Sequence, residues 1–207
     1  MRIIVLLTAA LVGASTNAFV TAPIAARAST SLDAAALIIQ NKGGGHGEIG
    51  YQLAKYLREK SEIDSITILQ DDACKDTKEP FKSYSADLPD VKIIKAPLGN
   101  DDLTVKDLQS LLEGASFDYI WDNASKKPEG AGKACADIAK SWDPKLYVYV
   151  SSAGVYQPDE TFPMPETTPI KESAGQAQFE SYCVEQDLPL VSFRPQYIYG
   201  EKSNKFD

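Results

Sequence analysis

The sequence predicts an α/β fold with a doubly wound parallel sheet, and three observations lead to this prediction. From about residue 36 onward, short apolar runs alternate with amphipathic stretches, the order expected when helices cover both faces of a sheet. The apolar runs are mostly continuous, which is typical of strands buried on both faces. A glycine-rich segment follows the first run and directly precedes the first amphipathic stretch, as in the first unit of a doubly wound fold.

The elements follow one another regularly along the chain. At residues 49–59, Leu53, Tyr56 and Leu57 share one face of a predicted helix, while charged residues occupy the other. Strands are predicted at residues 36–40, 65–69, 91–94, 118–121, 146–150 and 190–193, and further helices at residues 105–112, 131–142 and 178–186. Right-handed crossovers place these strands in one sheet. Residues 70–90 are long for a connection and have no clear pattern, so they form either a functional flap or a mobile insertion.

The glycine-rich segment carries the first candidate site. In a Rossmann fold, glycines at this place let backbone N–H groups approach a pyrophosphate, and the helix N terminus adds a partial positive charge. Gly50 allows the helix to pack close to the strand. His46 either contacts a phosphate or is a solvated loop residue. The residues predicted to bind NAD or NADP here are Gly44, Gly45, His46, Gly47, Glu48, Ile49 and Gly50.

Three further residues are expected at the carboxyl edge of the sheet, where such folds bind their ligands. Asp71 follows the second strand, where an acid accepts a hydrogen bond from the adenosine ribose and disfavours a 2′-phosphate. Asn123 follows the fourth strand, in a segment that either faces the ligand crevice or forms a strand-end turn, and Ser151 follows the fifth. The choice between NAD and NADP stays open, because Lys75 and Lys78 lie close behind Asp71.

Composition restricts the other classes of site. The formal net charge of −8 gives the chain no general attraction to nucleic acid, so an RNA contact needs a local basic patch. The three cysteines match neither metal-ligand spacing nor a disulfide framework, and they are interpreted as small apolar core residues. His46 is the single histidine, so no metal ligands are predicted from the residues themselves.

Residues 1–32 are interpreted as a targeting presequence that precedes the Rossmann domain at residues 35–207. Arg2 and the apolar run at residues 3–12 resemble a signal peptide, since the run is too short to span a bilayer, and residues 16–18 fit a cleavage site. Residues 19–32 contain hydroxyl side chains and no acid, as transit peptides do. This bipartite pattern predicts a plastid protein without stable membrane insertion once processed; secretion is the alternative.

Two later motifs resemble the extended short-chain dehydrogenase/reductase superfamily. Residues 151–156, Ser-Ser-Ala-Gly-Val-Tyr, match the end of the family's fifth strand, and residues 194–200, Arg-Pro-Gln-Tyr-Ile-Tyr-Gly, match the turn after its sixth. The resemblance implies that Ser152 stands at the catalytic serine position. The family's Tyr-x-x-x-Lys pair, in which the tyrosine is the general acid/base, is replaced by Ala174 and Gln178. Ser152 is therefore a remnant, and hydride transfer by the usual mechanism is not expected.

The chain most resembles the chloroplast stem-loop-binding proteins, atypical members of that superfamily that also lack the pair. The resemblance rests on short segments along most of the chain: residues 43–46, 49–50, 67–69, 80–81, 122–123, 151–156 and 193–197. It implies a plastid RNA or ribonucleoprotein partner, a role in plastid RNA stability, processing or ribosome function, and a divalent-metal-dependent endonuclease activity. Homo-oligomers or heteromers within the family are a further expectation.

Two alternatives use the same fold differently. One is a nucleotide-sugar epimerase, dehydratase or reductase that works with NAD(P), and the other is a non-catalytic NAD(P)-sensing subunit. Members of the superfamily continue past residue 200 into a small substrate domain, so the Rossmann domain is expected to be truncated.

Overall fold

The structure, a computed structural model, describes residues 34–157 and 163–198, and of residues 44–46 it describes the backbone alone. The chain divides into two units, Met1–Leu32 and Asp33–Asp207, and all described residues belong to the second. The predicted presequence lies outside the described residues.

One six-stranded sheet forms the centre of this unit, and all its strand pairs are parallel. The strand order is β3-β2-β1-β4-β5-β6, which confirms the predicted doubly wound fold. The strands are β1 (Ala35–Gln40), β2 (Ser65–Asp71), β3 (Lys92–Ala96), β4 (Tyr119–Asp122), β5 (Leu146–Val150) and β6 (Leu190–Phe193). The helices are α1 (Gly44–Leu57), α2 (Tyr84–Asp87), α3 (Val105–Leu111), α4 (Gly130–Ser141) and α5 (Gly175–Glu185).

The continuous apolar run of β1 is explained by cores on both faces of the sheet. Ile38 points into the core that contains α1, whereas Leu37 and Ile39 point into the core that contains α3, α4 and α5. Ile38 lies in register with Ile68 of β2 and Trp121 of β4, so apolar rows cross neighbouring strands. Successive side chains of a strand point to opposite faces, and here both faces are covered.

Helix α1 begins at Gly44, five residues earlier than the residue 49 predicted from the sequence. Glycine has a low intrinsic helix propensity, so the sequence favoured a turn over residues 44–48. Packing of α1 against the sheet overrides that preference. The glycines therefore form the first turn of the helix instead of a turn ahead of it.

Residues 70–90 are also more ordered than the sequence suggested. A 3₁₀ turn, Phe81–Ser83, leads directly into α2, and Phe81, Tyr84 and Leu88 are buried in the core that contains α1. The Tyr84 ring stacks on Tyr51 of α1, with ring centroids 6.0 Å apart. The spacing of residues 81, 84 and 88 has helical periodicity, so these positions carried a signal of a helix in the sequence.

Among the helices that the structure describes, none has the length and the apolar character that crossing a membrane requires.

Candidate functional site

The structure brings the predicted cofactor residues to one edge of the sheet. Gly44 begins α1 just beyond β1, Asp71 ends β2, and Asn123 and Ser151 directly follow β4 and β5. Because the strands are parallel, their carboxyl ends share this edge. Strand β1 lies between β2 and β4, where the winding direction of the chain reverses, and ligands of doubly wound sheets bind at such a point.

The N terminus of α1 opens onto this edge. Its N-cap residue, Gly43, makes no side-chain cap hydrogen bond, and the first turn contains no acidic residue. The first N–H groups of a helix have no partner within the helix, and they carry the positive end of its dipole. The turn therefore offers backbone donors and partial positive charge to an anion. Of the His46 side chain the structure describes nothing, so its role stays a prediction.

Gly50 is required by the close approach of α1 to β1. A Cβ atom at Gly50 would lie 1.9 Å from Oε1 of Gln40, a residue with no exposed surface. At Gly47 the nearest atom to such a Cβ would be Cζ of Phe81, at 3.3 Å. The glycines of the motif therefore face two different neighbours: Gly50 the strand beneath the helix, and Gly47 the segment after β2.

The structure also describes the side chains of Glu48 and Ile49 in the predicted motif. Glu48 is buried, and its Oε1 accepts a hydrogen bond from Gln52 Nε2 at 2.7 Å. Ile49 is half-buried. A phosphate at the helix N terminus would thus meet the backbone of this turn rather than these two side chains.

The carboxylates at the ends of β2 and β4 accept hydrogen bonds from the backbone that follows each strand and so stabilise a turn there. Asp71 is buried, and its Oδ1 accepts a hydrogen bond from the Ala73 N–H at 2.9 Å. Asp122 Oδ1 accepts hydrogen bonds from the backbone N–H groups of Ala124 and Ser125, both at 2.9 Å, which makes this segment a strand-end turn. The other Asp122 oxygen accepts a hydrogen bond from the Tyr147 hydroxyl at 2.7 Å.

Ser151 and Ser152 differ in what their hydroxyl groups do. Ser151 is 1% exposed, and its Oγ has no hydrogen-bond partner within the described residues. A buried hydroxyl without a partner costs free energy, so this group fits a site where a ligand supplies the missing bond. Ser152 Oγ accepts a hydrogen bond from the Gly154 N–H at 3.0 Å and so stabilises the turn Ala153–Val155.

No acid/base group stands at the positions of the missing pair. Ala174 is the N-cap of α5, and Gln178 is exposed in its first turn. Tyr182 donates a hydrogen bond to Asp137 of α4, and Lys133 Nζ lies 2.8 Å from its hydroxyl oxygen. Burial and the hydrogen bond to Asp137 raise the pKa of Tyr182, despite the opposing effect of Lys133. This tyrosine–lysine pair joins two helices, and its shift is opposite to the one a catalytic tyrosine needs.

A cavity of about 930 Å³ lies beside the ends of β5 and β6. Arg194 lines it and donates hydrogen bonds to both carboxylate oxygens of Glu180 on α5, at 3.1 and 2.5 Å, and to the Tyr156 hydroxyl at 3.1 Å. The hydrogen bonds to Glu180 and to Tyr156 raise the pKa of Arg194 above its ordinary range, although burial acts in the opposite direction. The charge of Arg194 is therefore balanced within the protein.

Two buried glutamines near the glycine turn were not predicted from the sequence. Gln40 and Gln70 occupy paired positions in the register of β1 and β2, and each ends a run of apolar residues. A polar residue at the same place in two neighbouring buried strands was the available signal. Both side chains make hydrogen bonds at the carboxyl edge.

The described residues do not fit a divalent-metal centre, because they contain no group of three or more histidine, cysteine, aspartate or glutamate side chains that could hold one. Cys135 and Cys183 are buried core residues, and burial raises the pKa of both thiols. Cys74 is half-buried in the turn after β2.

Comparison with solved structures identifies chains of the same fold. A dTDP-glucose 4,6-dehydratase from Bacillus anthracis in complex with NAD matches with a TM-score of 0.62 and 14% identity, over 82% of this chain and 56% of that one. The Bordetella bronchiseptica enzyme WbmH in complex with NAD⁺ matches with a TM-score of 0.58 and 16% identity, over 78% and 56%. A UDP-Glc/GlcNAc 4-epimerase from Campylobacter jejuni matches with a TM-score of 0.57 and 15% identity, over 74% and 49%.

No protein-family model matches the chain, and no curated protein sequence matches it. The chain spans about half the length of the solved structures named above. At these identities the likeness concerns the fold alone. The described unit is a Rossmann fold of the kind found in NAD-bound epimerases and dehydratases.

Proposed function

We propose that this chain binds NAD(H) or NADP(H) in a pocket of the epimerase/dehydratase kind and does not use the usual tyrosine for hydride transfer. The observation that carries the proposal is the N terminus of α1 at the switch point of the sheet, held against β1 by the contact between Gly50 and Gln40. Asp71 lies where the adenosine ribose would bind, and the Ser151 hydroxyl lies at the end of β5.

These residues fit a dinucleotide by the chemistry of their donors. The first turn of α1 offers backbone N–H groups to the pyrophosphate, and the Asp71 carboxylate offers an acceptor to a ribose hydroxyl. When bound, the cofactor supplies hydride chemistry. At the reacting end, the chain itself offers Ser152 but no tyrosine–lysine pair, so we propose a role in binding and sensing rather than turnover.

The proposal is tested by fluorescence titration of the full chain with NADH and NADPH. Gly44→Glu places a carboxylate in the first turn of α1, where it favours the helix but repels a pyrophosphate. We expect it to weaken NADH binding by about tenfold or more, roughly the effect of one misplaced charge. Gly99→Glu adds the same charge at a site with no atom near its Cβ and serves as the control. Absence of NADH binding by the wild-type chain contradicts the proposal.

The alternative of a working epimerase or dehydratase is tested by turnover. We expect no conversion of UDP-glucose or dTDP-glucose by the wild-type chain with NAD⁺, because Ala174 and Gln178 provide no proton relay. Turnover that is already present in the wild type would show that another acid/base acts. The double variant Ala174→Tyr with Gln178→Lys then measures how much of the missing chemistry that pair restores.

RNA binding in the plastid is our second proposal, and one feature favours it. Lys75, Lys78 and Lys82 are exposed along one segment, which adjoins the glycine turn through Phe81. Asp72, Asp76 and Glu79 lie among these lysines, so the lysine side chains themselves, and not a net positive charge of the segment, would attract phosphates. A gel shift with a stem-loop RNA at low salt tests this, with the triple lysine-to-glutamine variant as comparison. Unchanged RNA affinity in that variant would contradict this contact surface. We propose no cleavage step, since the described residues bring together no three side chains of the kinds that hold a divalent metal.

We also propose import into the plastid, on the basis of the presequence pattern at residues 1–32. A fluorescent protein fused behind residues 1–32 should accumulate in plastids, and accumulation outside the cell would favour secretion. Gel filtration of the mature chain tests the expected self-association.

A further inference from the structure

We infer that two buried glutamines, Gln70 and Gln40, position the glycine turn of α1 for phosphate binding. This inference rests on the proposed dinucleotide site and adds the residues that hold its backbone in place. Gln70 is 1% exposed and Gln40 is 0% exposed, so their amides are enclosed in the protein. Amides in such surroundings make strong hydrogen bonds, and they are costly to leave without partners.

The Gln70 side chain binds the backbone at the point where the chain leaves β1. Its Nε2 donates to the carbonyl oxygen of Asn41 at 3.0 Å and lies 3.4 Å from that of Gln40. These carbonyls belong to the last strand residue and to the first residue of the connection to α1. A side chain of β2 therefore binds the backbone just before the glycine turn. On its other side, the Gln70 Oε1 accepts a hydrogen bond from the Tyr84 hydroxyl at 3.3 Å.

Gln40 links the same turn to β4. Its Oε1 accepts a hydrogen bond from Asn123 Nδ2 at 3.0 Å. The same oxygen fills the space beneath Gly50, at 1.9 Å from where a Cβ would stand, and Nε2 lies 3.6 Å from the corresponding point at Gly47. The Gln40 amide thus lies between the start of α1 and the end of β4. Together the two glutamines fix the turn to the strands on both sides of β1.

The consequence is a specific role for Gln70. The donors of the turn are backbone groups, which bind a pyrophosphate only if the turn stands at the right distance from the sheet. Among the described residues, the carbonyl groups that accept from Gln70 belong to Gln40 and Asn41, just before the turn, and to its own neighbour Asp71. Gln70 is therefore a positioning residue, and its loss should weaken pyrophosphate binding without removing any ligand contact.

The test compares Gln70→Met with Tyr84→Phe in the full chain. Methionine keeps the length and shape of the side chain but has no N–H donor for the Asn41 carbonyl. We expect Gln70→Met to raise the Kd for NADH about tenfold, in line with the loss of a buried hydrogen bond, while adenosine binding changes less than twofold. Tyr84→Phe removes only the partner of Gln70 Oε1 and should change both affinities less than threefold.

Hydrogen exchange gives a second measurement that needs no cofactor. In Gln70→Met without ligand, the amides of residues 41–47 should exchange about tenfold faster, while those of β5 keep their rates. A purely structural role would lower thermal stability but leave the ratio of NADH to adenosine affinity unchanged, and that result would overturn the inference. Unchanged exchange at residues 41–47 would also overturn it. Failure of the wild-type chain to bind NADH would instead overturn the proposed function together with this role.

Discussion

The two halves of the sheet, one around β1 and the other around β6, differ in how completely their strands are buried. Around β1, residues 36–40 are all buried, and α1 packs so closely that Gly50 has no room for a side chain. Around β6, no residue of the strand is fully buried, and Val191 and Phe193 are exposed although they lie in register with the buried Val148 and Val150.

The same difference holds for the chemistry of the two regions. The β1 half carries the features on which the proposed dinucleotide site rests: the glycine turn, an acid at the end of β2 and the close contact between helix and strand. The β5–α5–β6 half contains Ser152 and the Arg194 ion pair, and Ala174 and Gln178 occupy the two positions where the resemblance seen in the sequence implies an acid/base pair. If the proposed function is right, the residues for binding and those for catalysis lie on different strands of this fold.

The largest loss of stability is expected from a side chain added at Gly50, between α1 and β1. Gly50→Ala places a methyl group where Gln40 Oε1 already lies, so the helix must move or the amide must leave its partner. We expect a loss of about 3 kcal/mol in the free energy of unfolding, at the upper end of overpacking effects. Urea denaturation measures this, and NADH affinity should fall as well. Gly99→Ala, in open space, is the control. Equal stability of the two variants would show that the β1 half is not tightly built.

The second effect tests whether the β6 half depends on its ion pair. Glu180 is buried and Arg194 mostly so, with Nη2 2.5 Å from Glu180 Oε2. Glu180→Gln leaves the guanidinium without its counter-charge, and we expect a loss of about 2 kcal/mol, less than for a fully buried pair. Glu113→Gln breaks an exposed pair with Lys92, and we expect a much smaller loss because water screens this pair. Denaturation curves of the two variants give the comparison, and similar losses would contradict it.

A third, smaller loss of stability is expected at Asp118, which binds residues near the starts of β1 and β5. Asp118 Oδ2 accepts a hydrogen bond from the Ala35 N–H at 3.1 Å, and its Oδ1 pairs with Lys145 at 2.9 Å. Burial would raise the pKa of Asp118, but the hydrogen bonds from Lys145 and Ala35 together hold it below its ordinary value.

A folded-state pKa below the unfolded value, about 3.9, stabilises the protein at higher pH. That stability is complete above the unfolded pKa and disappears as the pH falls through the folded pKa. Asp118→Asn should therefore cost about 1 kcal/mol at pH 7 and almost nothing near pH 2. Denaturation of both proteins across this range measures it. A loss that does not depend on pH would mean that the carboxylate charge contributes nothing.

The smallest effect concerns selectivity within the β1 half. Lys75 and Lys78 are exposed and follow Asp71 closely in the sequence, so in the proposed site they would attract a 2′-phosphate. Replacing both with glutamine should weaken NADPH binding about twofold to fivefold and leave NADH binding unchanged, since exposed charges contribute little and are screened by salt. Parallel titrations at low and high salt measure this. An equal loss for both cofactors would place the lysines near the shared pyrophosphate instead.

Much of the fold was predictable because its signals are local. Strands β5 and β6 have the bounds expected from their apolar runs, and the order of elements predicted the sheet. The start of α1 and the two short helices after β2 were not predicted. Glycine propensity argues against a helix at Gly44, and burial of Phe81 and Tyr84 depends on contacts with α1.

The sequence by itself determined the doubly wound sheet, the glycine motif and the absence of the tyrosine–lysine pair at Ala174 and Gln178, because each depends on residue type and order along the chain. Only the tertiary structure decided that Gln70 binds the backbone before the glycine turn and Gln40 binds Asn123, that Tyr182 joins two helices, and that Arg194 is paired with Glu180. The physical reason is that the role of a buried amide or charge depends on the group to which it is bound. Those partners lie 14 to 83 residues away in the chain and meet only in the folded protein.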